Sequence, residues 1–394
     1  MKDLLILQNT EIIEKTDAKL DEIAHFLVSL KPKEDFPIGL FSGSAGIALF
    51  LFYYSRYKKN EYFADKAMGL LSYSISKKEE NLYHPFCGGI SGICWCIQHL
   101  ICEGFIDDEN IEIIKAFDRY LCDQVAYHSS VGNYDFLHGT IGTALYLLKR
   151  SKTPFVRQTT ENMVNTLYHS KIEDNGNYYW KSKIGNDINI CISHGISSIC
   201  IYLCKVFEAN ISKSTTQDLA KKSASFLINQ EINLDNRISM FPSFNKLSDP
   251  LHSRLGWCYG DLGIGISIWH YATIFNDELM KEKAMEIFMF SSKRKKLGEN
   301  YVFDAGICHG TAGIAQIYKK VFLHTKQVEF KETAMFWLEQ TLLMSKYSDG
   351  VVGYKANEKG NTLDLLNGIA GIGLVFLSFL TNEDTNWDEC LLLI

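Results

Sequence analysis

Residues 306–315 read GICHGTAGIA, a stretch that places Cys308 and His309 directly before a run of small and apolar residues. Two glycines three positions apart, Gly310 and Gly313, open that run. Because glycine has no side chain, this spacing is typical of a helix whose first turn packs closely against a neighbour. Adjacent cysteine and histidine residues also occur by chance, so the rest of the chain must decide whether this pair binds a metal.

The same pattern occurs seven times along the chain. Each segment reads Gly-x-x-Gly followed by apolar residues, except the fourth, where Ser198 stands at the second glycine position and is expected to loosen or shift the helix behind it. Successive first glycines are 46, 50, 56, 65, 50 and 58 residues apart. So regular a period predicts a repeat architecture in which residues 1–394 form one domain. The first glycines are Gly43, Gly89, Gly139, Gly195, Gly260, Gly310 and Gly368.

Amphipathic stretches with helical spacing lie between the motifs, at residues 64–76, 111–126, 161–169, 218–230 and 331–345. Each repeat is therefore predicted to be a helical hairpin with one buried and one solvent-facing helix. Seven hairpins predict an all-α fold, an α/α toroid (double α-barrel) with seven inner helices inside seven outer ones. An open solenoid is the alternative, but its end repeats carry polar caps, whereas the first and last motifs here are strongly apolar.

The overall composition excludes several classes of partner. The net charge is −6 and the Lys and Arg residues are scattered, so the chain lacks the basic stripe of a nucleic-acid-binding protein. The most apolar windows, residues 47–54 and 368–380, fall short of the roughly 20 residues that cross a bilayer, which predicts no direct membrane insertion. The 11 cysteines follow no disulfide framework, and the N-terminus is too charged for a secretory signal, so a cytoplasmic protein is expected.

Closure of the repeats into a ring would bring the residues before each first glycine to one end of the barrel. Cys258 and Cys308 occupy the same position in consecutive repeats, and His309 follows the second of them. Two thiolates, one imidazole and one open position describe a catalytic zinc site with one ion per chain. The alternative is a pair of packed thiols and a helix-capping histidine. Cys87 shares the register but lies across the ring, so it is a weak rival ligand.

Further polar residues precede the inner helices on the same side. Each also has an ordinary structural interpretation. The carboxylate and the histidines could cap helices, and the arginine could be an ion-pair partner. Gathered at one end of a ring, they instead indicate acid–base and charge-stabilising groups around a metal. These residues are Asp135, His138, His194, Arg254 and Tyr259.

At these residues the sequence resembles the lanthionine synthetase C-like family, the cyclases of lanthipeptide biosynthesis. The resemblance covers nearly the whole chain and rests on WCYG at 257–260, CHG at 308–310 and SHG at 193–195, together with the glycine repeat. It implies an α/α toroid that holds one catalytic zinc through Cys258, Cys308 and His309. The implied reaction is the intramolecular Michael-type addition of a peptide Cys thiol to dehydroalanine or dehydrobutyrine, which closes a lanthionine or methyllanthionine ring.

The resemblance also implies roles for other residues. His194 matches the acid–base histidine, Asp135 the carboxylate near it, and Arg254 and Tyr259 residues that line the reaction pocket. We assign His194 as the proton donor to the enolate on chemical grounds, with His138 as the competing acid–base group.

The partners implied by the resemblance are a dehydrated lanthipeptide precursor, a dehydratase and an ABC exporter. Such a complex would hold a cytoplasmic enzyme at the inner face of the membrane. Family members with a small inserted domain are thought to use it to hold the leader peptide, and the short early intervals here leave little room for one. Residues 232–254 fall in the widest interval and are predicted to form a substrate-facing loop.

Other functions remain open at the level of sequence. A zinc-retaining protein that binds glutathione or a peptide thiol without completing addition would need the same ligands. Prenyltransferase β-subunits also activate a thiol on zinc, but they need a partner subunit and an aspartate ligand. Toroidal glycosidases and lyases need carboxylate pairs, for which only Asp135 and Asp261 are placed suitably. A purely structural scaffold would leave the polar convergence unexplained.

Overall fold

The computed structural model describes residues 7, 9–76, 83–181, 183, 188–245, 251–356, 362–381 and 385–394. Helices dominate it, with one short β-hairpin, β1 (Ile172–Asp174) and β2 (Asn177–Tyr179). The α-helices are α1 (Thr10–Val28), α2 (Ser44–Lys58), α3 (Glu61–Ser76), α4 (Ile90–Cys102), α5 (Ile111–Lys115), α6 (Asp118–Ser130), α7 (Thr140–Leu148), α8 (Pro154–Ser170), α9 (Ile196–Glu208), α10 (Lys213–Ile228), α11 (Asp261–Phe275), α12 (Glu278–Ser292), α13 (Thr311–Thr325), α14 (Val328–Leu343) and α15 (Ile369–Leu380).

Every glycine motif opens a buried helix. Helices α2, α4, α7, α9, α11, α13 and α15 each begin at the residue after the first glycine. In α2, all residues from Ser44 to Ser55 are buried, whereas α3 buries only every third or fourth residue. The prediction that the helix opened by the glycine motif is buried and its partner faces solvent is therefore confirmed for this pair. No helix among the described residues is both long and apolar enough to cross a bilayer.

The seven residues before each inner helix form a compact loop, here called the motif loop. In six repeats the N–H of the first helical residue donates to the carbonyl seven residues earlier, as Thr311 does to Asp304 (3.1 Å). These first glycines have extended backbones, with φ from −161° to −105°. The fifth motif differs, because Gly260 has φ +86°, a left-handed conformation that favours glycine.

The second glycine of the motif allows neighbouring repeats to approach. A Cβ on Gly371 would lie 1.9 Å from the Leu365 carbonyl oxygen and 2.7 Å from Cδ1 of Ile307 in the preceding repeat. In the fourth motif, α9 nevertheless begins in the usual register, and Ser198 Oγ donates to the Gly195 carbonyl (2.8 Å). The expected loosening or shift of that helix is therefore not seen.

One compact unit of the fold contains residues 1–83, 87–108 and 301–393. Within it, α13 packs on α15, α15 on α2, and α2 on α4. Adjacent motif loops are joined by the backbone, since Leu366 N–H donates to Phe41 O (3.1 Å) and Phe41 N–H to Cys87 O (2.9 Å). The last repeat thus contacts the first, which a closed ring requires and an open solenoid lacks.

The other unit contains residues 84–86 and 109–300. Its inner helices α7, α9 and α11 pack in sequence order, with α8, α10 and α12 against them. The hairpin packs on α10, and Tyr178 is its buried residue. Here Leu137 N–H donates to Ser193 O (3.4 Å), in the same manner as the motif loops of the first unit.

Four of the five predicted outer helices are present with shifted ends, and the fifth is broken. Residues 111–126 were predicted as one helix but form α5 and α6, with Ala116 and Phe117 between them. The sequence analysis also missed α1, which packs against α15 and so gives the last inner helix its outer partner. In the predicted substrate-facing loop, residues 246–250 lie outside the described residues.

Candidate functional site

A buried carboxylate and an imidazole form the best-defined polar pair. Asp135 Oδ2 lies 2.6 Å from Nδ1 of His194, and Asp135 Oδ1 accepts the backbone N–H of His138 (2.6 Å). The carboxylate is 4% exposed, and the His194 ring is partly open to solvent. Both residues lie in motif loops of consecutive repeats, which is why side chains 59 positions apart in sequence meet. The structure therefore brings together the predicted acid–base histidine and its carboxylate.

Aromatic rings surround His194. The His138 ring is nearly parallel to it with centroids 5.9 Å apart, and the Tyr259 ring centroid lies at 6.1 Å. Phe244 also packs on Tyr259, with ring centroids 5.7 Å apart. Burial lowers the pKa of His138 and raises the pKa of Tyr259, so both groups are neutral at pH 7. His194 is thus placed among uncharged rings, with the Asp135 carboxylate at its Nδ1.

The three predicted metal ligands also come together. One ligand atom from each of Cys258, Cys308 and His309 lies within 4.8 Å of the others. Zinc bonds of about 2.3 Å to sulfur and 2.0 Å to nitrogen set tetrahedral ligand atoms roughly 3.5 Å apart, a spacing that is compatible with this 4.8 Å limit. Two thiols and an imidazole are also the donor types that zinc prefers. This group could therefore hold a metal ion.

The sequence did not indicate that a carboxylate, Asp304, contacts one of these ligands. Asp304 Oδ2 lies 3.3 Å from Nε2 of His309, and Asp304 Oδ1 accepts the Gly306 N–H (2.9 Å). Metal-binding histidines commonly use their second ring nitrogen in this way, which fixes the ring orientation. The repeat pattern does not mark Asp304, because the residues at the same position in the two preceding repeats are Asn189 and Arg254 and not carboxylates.

A buried ion pair lies three positions after Cys258, at Asp261, the first residue of α11. Asp261 is fully buried, and Arg294 Nη1 donates to its Oδ2 (2.7 Å). The same carboxylate accepts the backbone N–H groups of Met240 (3.2 Å) and Phe241 (2.9 Å). These contacts occupy both oxygens, which weighs against Asp261 as a catalytic acid of a glycosidase.

Arg254 is half-buried at the start of the fifth motif loop. Its carbonyl oxygen would lie 2.8 Å from a Cβ on Gly260, so the backbone here leaves no room for a side chain at that glycine. A role for the Arg254 guanidinium in the site stays a prediction. Tyr259, by contrast, is placed directly at the His194 ring.

Fold and site together define a mainly helical protein built from repeats, with a Cys2His group that could hold a metal ion and a buried carboxylate–imidazole pair. Residues 34–392 match the family described as Lanthionine synthetase C-like protein. The chain belongs to this family, as the motifs of the sequence had indicated.

Two relatives extend this result. The Nisin biosynthesis protein NisC of Lactococcus lactis subsp. lactis is 24% identical over 421 residues, which cover 97% of this chain and 94% of that protein. The solved structure of Nisin cyclase superposes with a TM-score of 0.76 at 20% identity and covers 96% of each chain. The predicted α/α toroid fold is therefore confirmed.

Proposed function

We propose that this protein is a zinc-dependent lanthipeptide cyclase. The observation that carries the proposal is the grouping of Cys258, Cys308 and His309 in a chain that is similar over 97% of its length to the Nisin biosynthesis protein NisC. The substrate is a precursor peptide that carries dehydroalanine or dehydrobutyrine and free cysteines. A dehydratase supplies that peptide, and an exporter removes the product.

Cys258, Cys308 and His309 would hold the ion, which would supply the chemistry that lowers the pKa of a substrate thiol and so favours its thiolate form. The protein's own residues then complete the addition. A carbon–sulfur bond forms at the β-carbon of the dehydro residue, its double bond becomes an enolate, and a proton must reach the α-carbon. The reaction needs no oxidant or other co-reactant, because the thiol proton balances the proton that is added.

His194 delivers that proton in our proposal. Its Nδ1 is held by the Asp135 carboxylate, which leaves Nε2 as the ring atom for proton transfer and stabilises the imidazolium before the transfer. His138 is the poorer candidate, because burial lowers its pKa and so disfavours the protonated form that a donor needs. Tyr259 and Arg254 border the enolate and orient it.

Metal analysis and a mass assay test this function together. Purified wild type should contain about one zinc per chain, and a dehydrated peptide incubated with it should lose alkylatable thiols as rings form. Cys258→Ala and Cys308→Ala should lose both properties, while Cys102→Ala, an exposed cysteine outside the motif loops, should keep them. Wild type without stoichiometric zinc would refute the mechanism. Zinc with every substrate thiol still alkylatable would indicate a thiol-binding protein instead.

A further inference from the structure

Neighbouring motif loops meet at joints, and of the five joints that lie within the two compact units, one is built differently from the other four. In the joints Cys308–Leu366, Leu366–Phe41, Phe41–Cys87 and Leu137–Ser193, a backbone N–H of the first residue donates to the carbonyl of the second. At the joint between the fourth and fifth motif loops, the Ser193 hydroxyl donates to the Cys258 carbonyl instead (3.1 Å), in the part of the chain that the structure describes. The one side-chain link therefore reaches the backbone of a candidate metal ligand.

The backbone of the fifth motif loop also differs from that of the others. Gly260 has φ +86°, whereas every other first glycine of a motif is extended. The fifth motif loop therefore enters its helix with a different backbone conformation from its equivalents. A serine side chain is longer than a backbone N–H, so it can link two loops whose backbones differ.

The same hydroxyl belongs to a buried chain of contacts that ends at the acid–base histidine. Ser193 Oγ lies 3.2 Å from Sγ of Cys191, and this sulfur accepts the backbone N–H of His194 (3.2 Å). Ser193 and Cys191 are both fully buried. Burial raises the pKa of Cys191 to about 12, so it remains a thiol that can donate to Ser193 and accept from His194.

We propose that Ser193 is a positioning residue that fixes the loop of the metal ligand Cys258 relative to the backbone of His194. The inference rests on the proposed function, because it assigns metal binding to Cys258 and proton transfer to His194, the residues at the two ends of this series of contacts. Addition of a thiolate and protonation of the enolate occur on adjacent carbons, so the two groups must keep a fixed separation. A displacement of about 1 Å between such groups is costly for rate.

The chain offers a matched control for this serine. Ser267 Oγ donates to the Ser197 carbonyl (3.1 Å), and both residues are fully buried. This bond also joins the fourth and fifth repeats, between α11 and α9, but it lies within the helices and away from the motif loops. Ser193→Ala and Ser267→Ala thus remove the same type of hydrogen bond between the same two repeats.

Three measurements separate positioning from packing. Metal-free protein is titrated with Co²⁺ and followed by the thiolate-to-cobalt charge-transfer band, amide hydrogen exchange is measured at residues 257–260, and cyclisation is measured as kcat and KM. Ser193→Ala should weaken Co²⁺ binding about tenfold or more, speed exchange at residues 257–260, and lower kcat with little change in KM. Ser267→Ala should match wild type in Co²⁺ affinity, in exchange at residues 257–260 and in kcat. Its loss of thermal stability should be similar to that of Ser193→Ala.

Equal behaviour of the two variants in Co²⁺ affinity, exchange and kcat would overturn the inference and leave Ser193 as a packing residue. Failure of the proposed function would give a different result, which would be seen in wild type. In that case wild type itself would neither bind Co²⁺ through thiolates nor close thioether rings. The exchange measurement in metal-free protein would still test whether Ser193 fixes the loop of Cys258. Unchanged exchange at residues 257–260 in Ser193→Ala would refute that claim.

Discussion

The Asp135 carboxylate performs two tasks, since one oxygen accepts the His138 N–H and the other holds His194 Nδ1. Asp135→Asn preserves the shape but places an amide against His194, so the histidine loses the charge that stabilises its imidazolium. We expect kcat to fall roughly 100-fold or more, with zinc content unchanged. Single-turnover rates of thioether formation at saturating enzyme measure this effect.

The control for this prediction is the neighbouring imidazole. His138→Gln removes a ring that packs on His194 but leaves the Asp135–His194 pair in place, so its effect on kcat should be much smaller. A larger loss in His138→Gln than in His194→Gln would show that the assignment of the proton donor is wrong.

A second histidine pair, outside the site, gives a prediction for stability against pH. His84 is 4% exposed, packs on the His128 ring (4.3 Å between centroids) and contacts Thr143 Oγ1 through Nδ1 (3.1 Å). Burial first, and then repulsion by His128, lowers the pKa of His84 to about 4. As the pH falls below about 6.5, the unfolded chain takes up a proton that the folded chain refuses, so folding stability is lost down to about pH 4.

The lowered pKa of His84 corresponds to about 3 kcal/mol of acid-induced destabilisation when complete. His84→Gln keeps a hydrogen-bonding group near Thr143 but cannot titrate. We therefore expect the difference in unfolding free energy between pH 7.5 and pH 4 to shrink by about that amount in the variant. Urea unfolding of both proteins across this range measures it, and parallel curves would refute the prediction.

At the scale of the element, the second motif glycine is a steric requirement. Gly371→Ala would place a methyl group 1.9 Å from the Leu365 carbonyl oxygen and 2.7 Å from Ile307, so α15 must move away from its neighbour. We expect a loss of about 2–3 kcal/mol in unfolding free energy. Gly69→Ala is the control, because this glycine is exposed in α3 and nothing lies within 4 Å of its Cβ position. That variant should gain about 0.5–1 kcal/mol, and equal effects at both positions would contradict the argument.

The same steric requirement explains which elements could be predicted from sequence. Inner helices begin at the glycine motifs, as predicted, because Gly-x-x-Gly is needed where repeats approach closely and can be read directly from the chain. The break between α5 and α6 was missed because an exposed helix tolerates interruptions that leave its apolar spacing unchanged. Asp304 was missed because its role depends on the orientation of His309, which no spacing records. The hydroxyl contact of Ser193 was missed because spacing does not record which group of a residue donates to the neighbouring motif loop.

Over the whole molecule, the sequence predicted the number of repeats but not how the last one is completed. Among the described residues after α15, helical structure is limited to a short 3₁₀ helix, Asn386–Leu391, and α15 takes its outer partner from elsewhere in the chain. That partner is α1, which lies more than 300 residues earlier and carries no glycine motif. Pairing of the two chain ends is a consequence of closure, and closure is a property of all seven repeats together.

This pairing predicts that the fold fails as a unit when α1 is removed. Leu20, Ile23, Ala24 and Leu27 on α1 are fully buried, so a chain that begins at Leu30 would expose the apolar face they cover. We expect the truncated protein to lose its cooperative thermal transition and, if it is the zinc enzyme proposed above, its capacity to bind zinc, even though Cys258, Cys308 and His309 remain. Co-expression of residues 1–29 as a separate segment should restore both, because the contact is between helix faces and does not need a continuous chain. In a segment carrying Leu20→Ala and Ile23→Ala, which cost about 2–5 kcal/mol each in a core, restoration should fail. A truncated chain that melts like the full one would show that repeats one and seven do not depend on α1.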